Sequence, residues 1–228
     1  MVLLRSSAAE KCARCQKFFT RENLLWSGKE RCVSPDDGTI LGVKDQSIID
    51  WLNALGSKAP TPGGGAVAGL NGAIATAQLK MVCEYTKSEL PIVDLNQTIL
   101  KFLKLAEQDS QAYLEIKSAY KSKDSGLIQK ALLNATQPSE GIAKNCQEIY
   151  DFCHKNIEAF NKNLLSDLVV SLANLSAAVE AAQAILTVNA KAMDNAENQA
   201  ATLAKIKFCD ELISQITNLK NAVKERIA

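Results

Sequence analysis

The sequence predicts an all-α fold, an antiparallel bundle of long helices, on three observations. Apolar residues recur three and four positions apart along most of the chain, the spacing of one helix face, and no stretch shows the strict alternation of a strand. Alanine, leucine, lysine and glutamate are plentiful while aromatics make up only 5% of the residues, which suits helices packed closely through small side chains. The few glycines and prolines, 11 and 5 in 228 residues, concentrate in one place. With 47% hydrophobic residues the chain can bury one globular core and carry a short appendage.

Residues 1–44 form the expected appendage. They hold Cys12, Cys15 and Cys32, the turn signal Ser34-Pro35-Asp36-Asp37-Gly38, and little helical periodicity. The helical domain is expected over 45–228. Ile48, Ile49, Leu52 and Leu55 have helical spacing, and Gly56 ends that helix. After a Pro-Gly-rich loop, a helix runs from about Ala66 to Thr86. The next spans about Val93 to Tyr120, with Ile99, Phe102, Leu103, Ala106, Tyr113 and Ile116 on its apolar side. A break at Lys121 to Ser125 leads to a short helix ending near Ala135, and Pro138 separates this from a helix over Ser139 to Phe160. The stretch Asn161-Lys162-Asn163 reads as a turn and cap. Two long helices follow, about Leu164 to Met193 and Glu197 to Arg226. The first of these would be about 45 Å long. Its alanine-rich latter half exposes more seam than one small bundle covers, which points to a homodimer.

Charge excludes two classes of partner. With 26 basic and 25 acidic residues spread along the chain, there is no basic excess to neutralise nucleic-acid phosphates. No like-charged run marks a membrane-surface helix. The uncharged run from Thr61 to Leu79 opens with proline and three glycines and contains Asn71, Thr76 and Gln78, so no membrane span is expected there. The apolar start Met1-Val2-Leu3-Leu4 is too short for a signal peptide, and seven cysteines, an odd number, predict free thiols in a reducing, cytoplasmic setting.

Four constellations can carry chemistry. In Ser57-Lys58-Ala59-Pro60-Thr61-Pro62-Gly63-Gly64-Gly65 the glycines permit unusual backbone angles and set adjacent amides at a helix start, where the dipole favours an anion. The loop lacks the Lys and Ser/Thr of a nucleotide-binding P-loop. Asp109 falls on the inward stripe of its helix between Ala106 and Tyr113. There desolvation would raise its pKa toward the range of a general acid–base, with Tyr113 one turn on. Asn161-x-Asn163-x-x-Ser166-Asp167 offers Asn163 or Ser166 as a helix cap and an acid in the first turn, and Asn174 and Asn189 follow on the same helix. Cys12-Ala-Arg-Cys15 with Cys32 resembles three quarters of a zinc site without a fourth ligand, so no resident metal is expected. Cys146 and Cys153 read as core thiols, and His154, the sole histidine, as a helix-surface residue.

Together these residues resemble the cyclodeaminase/cyclohydrolase family, which includes the C-terminal half of formiminotransferase-cyclodeaminase. The resemblance rests on Ser57 through Ala68 with Met81-Val82, then Asp109 and Tyr113, Ala135-Thr136 and Pro138, Asn161 through Asp167, and Asn189. Ala66 departs from it, standing where the family usually has serine. The cysteine-bearing appendage and a formiminotransferase half lie outside the pattern.

The resemblance implies a helical dimer acting on a substituted tetrahydrofolate, with no metal or organic cofactor. The cyclodeaminase reaction closes a 5-formimino group onto N10, giving 5,10-methenyltetrahydrofolate and ammonia. Asp109 would be the acid–base, with Asp167 as its partner or a pterin acceptor. Lys58, Thr61, Pro62, Gly63, Gly64, Gly65, Tyr113, Asn163, Ser166 and Asn189 would bind substrate, the loop amides and Lys58 holding a folate carboxylate. A methenyltetrahydrofolate cyclohydrolase and a non-catalytic folate-binding or scaffold protein remain alternatives.

Overall fold

The computed structural model describes residues 43–91 and 94–227, together with the backbone of a two-residue antiparallel pairing, Glu10–Lys11 with Phe18–Phe19. Cys12, Cys15 and Cys32 lie outside the described residues. The chain divides into two compact units, Met1–Ala59 and Pro60–Ala228. In the first, helix α1 (Ile48–Leu55) starts at Ser47, whose hydroxyl accepts the Asp50 amide, and ends at Gly56.

The second unit is helical throughout its described length: α2 (Gly64–Glu84), α3 (Leu95–Ser122), α4 (Ser125–Asn134), α5 (Thr136–Asn156), a 3-10 turn (Lys162–Leu164), α6 (Leu165–Lys191) and α7 (Ala196–Glu225). Side chains mark three of the six α-helix starts. Asp94, Asp124 and Asn195 each accept an amide from the first turn of α3, α4 and α7 in turn. Two starts differ from the expectation. Pro138 lies inside the first turn of α5, where an amide has no intrahelical partner and a proline costs little. Neither Asn163 nor Ser166 caps α6, which follows Leu164 with no side-chain cap; Asn161 instead accepts the Asn163 amide in the preceding 3-10 turn.

The long helices α2, α3, α5, α6 and α7 alternate in direction. Gly65, Gly69 and Gly72 on α2 face Asp109, Ala106 and Phe102 on α3, in reverse order. The Ser171 hydroxyl donates to the Ala75 carbonyl at 2.8 Å and Gln78 to Asp167 at 2.8 Å, so α6 also runs against α2. Gln199 donates to the Ala190 carbonyl and Gln183 to that of Ile206, which sets α7 against α6. Lys205 bridges to Thr136 and Glu140 at the start of α5, and Arg226 grips Glu158 just beyond its end, so α5 and α7 run parallel.

α6 is the central helix, packing on α2, α5 and α7. Its Leu168, Leu172, Leu175, Val179 and Leu186 meet Leu79, Phe102, Ile142, Ile149, Leu212 and Ile216 in the core. Burying such a side chain contributes about 1.5–3 kcal/mol. The close α2–α3 approach depends on glycine: a Cβ at position 69 would stand 2.8 Å from both the Ala106 Cβ and the Phe102 carbonyl oxygen, and one at 72 would overlap the Phe102 ring. The expected inward stripe of α3 holds through Phe102 and Ala106 but then passes to Ala112 and Ala119, leaving Tyr113 47% exposed.

Candidate active site

The candidate site of the second unit is built around Asp109. It sits on α3 opposite the first turn of α2, and its carboxylate accepts a hydrogen bond from the Ala66 amide. That amide is one of the unpaired donors of a helix start, so the anion bound by the α2 N-terminus is the chain's own carboxylate. Gly65 makes the arrangement possible, since a Cβ there would overlap the Asp109 carboxyl group. The glycines therefore serve close approach rather than unusual angles: Gly63 is extended (φ −134°, ψ −162°) and none of the three has a positive φ. Gly64 is exposed, with the Ile185 side chain of α6 beside it.

Burial pushes the Asp109 carboxyl up to about 6, against the opposing pull of the Ala66 hydrogen bond. Desolvation wins because a single amide donor replaces a full hydration shell. A carboxyl of this kind exchanges a proton near neutrality and can act as base and then as acid.

Polar groups without partners gather at the same end of the bundle. Thr61 precedes the loop across a cis peptide to Pro62, and its Oγ1 is buried without a hydrogen-bond partner. Asn189 lies one turn beyond Ile185 on α6, and its Nδ2 is likewise buried and unpartnered. The Ser139 Oγ, in the first turn of α5, is a third such atom. Contacts running from Thr136 to Lys205, Ile206 to Gln183 and Ile185 to Gly64 place that turn level with the loop. Unpartnered buried polar atoms cost about 1–3 kcal/mol each and call for an explanation. Here they lie at the same end of the bundle as the raised carboxyl.

Lys58 is exposed and belongs to the first unit. Tyr113 projects outward on α3. Asn163 and Ser166 are exposed, and Asp167 is held by Gln78 near the opposite end of α2. Thirteen residues of helix separate Gln78 from Gly65, so Asp167 and Asp109 stand about 20 Å apart within one chain. Sequence reasoning missed Ser139 and the Gln78 partner of Asp167, since a hydroxyl or an amide inside a helix announces nothing until its neighbours are known. A cavity of about 380 Å³ lined by Lys80, Cys83, Glu84, Ser88, Asp94 and Asn96 also lies at the far end of α2 and includes none of the expected residues. Among the described residues no group of three or more His, Cys, Asp and Glu side chains is placed to hold a metal ion. His154 is exposed and stacks on Tyr150.

The family model for formiminotransferase-cyclodeaminase matches residues 47–208, a span containing the loop, Asp109, Asp167 and Asn189. A methenyltetrahydrofolate cyclohydrolase of Methylorubrum extorquens is 27% identical over 203 residues, 80% of this chain and 96% of the relative. The crystal structure of a formiminotetrahydrofolate cyclodeaminase from Thermotoga maritima superposes with a TM-score of 0.72 at 26% identity, covering 81% of this chain and 97% of the other. The chain belongs to the formiminotransferase-cyclodeaminase family.

Proposed function

We propose that this chain is an enzyme of folate one-carbon metabolism that cyclises 5-formimidoyltetrahydrofolate to 5,10-methenyltetrahydrofolate and releases ammonia. The observation that carries the proposal is the Asp109 carboxyl, raised to about 6 and held at the α2 N-terminus beside unpartnered buried polar groups. N10 of the folate attacks the carbon of the protonated formimino group (N5–CH=NH2+), and Asp109 takes the N10 proton as the new C–N bond forms and the C=N π bond opens onto the amine. The same carboxyl returns that proton to the amine, which leaves as ammonia while the N5–C–N10 unit becomes an amidinium. One group serves both steps because its pKa lies near the working pH. The proposed steps are proton transfers, so the proposal includes no cofactor. Thr61 and Asn189 are the polar groups at hand to orient the ligand.

The M. extorquens relative favours a second reaction on the same site, hydrolysis of the methenyl group, in which Asp109 steers water onto the amidinium carbon. Absorbance of the methenyl chromophore separates the two. Its enzyme-dependent appearance from 5-formimidoyltetrahydrofolate supports the cyclodeaminase. Its accelerated loss from 5,10-methenyltetrahydrofolate, with no activity in the first assay, supports the cyclohydrolase. Binding of folate without either change would mean a non-catalytic pocket.

A further inference from the structure

The face of α3 that carries Asp109 continues past the helix that covers it. Phe102, Ala106 and Asp109 meet Gly72, Gly69 and Gly65 of α2 in turn, and α2 begins at Gly64. α3 runs on from Asp109 to Ser122. Over that length its buried path passes to Ala112 and Ala119, and the helix also packs on α4. The positions four, eight, eleven and twelve beyond Asp109 share its face at 3.6 residues per turn. They are Tyr113, Lys117, Tyr120 and Lys121, all exposed, the two tyrosines by 47% and 50%.

The strip has one sign of charge. Glu115, the one acid in residues 110–122, stands two positions from Lys117 and so on another side of the helix. Neither Lys117 nor Lys121 forms an ion pair among the described residues. Two aromatic rings and two ammonium groups therefore lead away from Asp109 along one open face.

A folate substrate carries a charge that the site around Asp109 does not answer, the carboxylates of its glutamate. The α2 N-terminus, an anion site by its dipole, is taken by the Asp109 carboxylate itself. In a folate a para-disubstituted ring and one amide separate N10 from the glutamate, a span of about 9–11 Å at ordinary bond lengths. Along α3, Tyr113 stands about 6 Å, Lys117 about 12 Å and Lys121 about 18 Å beyond Asp109. Helical side chains lean toward the N-terminus of their helix, which for both lysines is the Asp109 side. With N10 at the Asp109 carboxyl, as the proton transfer requires, the ring falls over Tyr113 and the first carboxylates fall within reach of Lys117.

We propose that the open face of α3 is the tail subsite of the candidate active site: Tyr113 stacks on the aminobenzoyl ring, and Lys117 and Lys121 bind the glutamate carboxylates. This rests on the folate reading. Charge complementarity and continuity with Asp109 select this occupant over a purely apolar one, which would have to cover ammonium groups set between the rings. Both lysines lie more than two turns from the reacting atoms, so they act on binding and not on the chemical step.

Titration calorimetry with two ligands reads the subsite without turnover. One is tetrahydrofolate; the other is the methylamide of tetrahydropteroic acid, which keeps the ring and the amide but has no glutamate. Wild type should bind the first at least about tenfold more tightly. A Lys117→Gln/Lys121→Gln variant should lose about tenfold in affinity for tetrahydrofolate and none for the methylamide, and Lys117→Arg/Lys121→Arg should restore the difference. Tyr113→Ala should weaken both ligands alike. With 5-formimidoyltetrahydrofolate, the Gln variant should raise KM by the same factor while kcat stays within about twofold. Equal wild-type affinity for the two ligands would overturn the subsite. So would a Gln variant that keeps full affinity for tetrahydrofolate, or one that loses affinity for both ligands alike. Failure of the wild type to bind either ligand would overturn the subsite and the folate reading together. Glutamate-dependent binding without turnover of either folate would leave the subsite standing and count against the enzymatic reading alone.

Discussion

At the scale of single residues, Asp109 sets both a stability cost and a pH dependence. Its carboxyl moves from 3.8 to about 6 on folding, so the folded state holds a proton that the unfolded state has released between those values. Stability therefore falls as pH rises from about 4 to 6, and the cost of the ionised form reaches up to about 3 kcal/mol above that window. An Asp109→Asn variant should be more stable than wild type at pH 8, with the difference shrinking toward pH 4 in denaturant melts. A difference independent of pH would mean the carboxyl is not raised. The same substitution should lower kcat by about 10²–10⁴-fold, and wild-type kcat/KM should rise with pH through about 6 to a plateau. Gly65→Ala tests the positioning of that carboxyl, because the added Cβ occupies its place and forces it off the Ala66 amide. We expect kcat to drop by about 100-fold; unchanged kinetics would show that the contact is dispensable.

Among elements, the α2–α3 seam and the end of α3 give the clearest expectations. Gly72→Ala drives a methyl into the Phe102 ring and should destabilise by about 1–3 kcal/mol in chemical denaturation. Lys123, the residue that ends α3, adopts a left-handed conformation (φ 58°), so Lys123→Gly should stabilise by about 1 kcal/mol. Much of this architecture was legible in advance. Helical period and punctuation placed α1 through α7 to within a few residues, because apolar spacing and breaks such as Gly56 and Lys121 to Ser125 are local signals. Pro138 misled because a proline allowed in a first turn looks the same as one between helices. Tyr113 misled because the stripe of a 28-residue helix drifts, and the inward path passes to Ala112 and Ala119. For the site, the loop and Asp109 were legible as unusual residues in a helical context. The contact between them was not, since the register of α2 against α3 is set by packing rather than by either segment alone.

For the whole molecule, one end of the bundle gathers Thr61, Gly65, Asp109, Ser139 and Asn189, while the motif around Asp167 stands at the other. The central helix α6, packed on α2, α5 and α7, links the two ends. The most direct test of the central claim, that Asp109 drives folate chemistry, is the methenyl absorbance after mixing wild type or Asp109→Asn with 5-formimidoyltetrahydrofolate. The account predicts rapid, enzyme-dependent growth of the band with wild type and its near loss in the variant. An Asp109→Asn protein that forms the band as fast as wild type would contradict it.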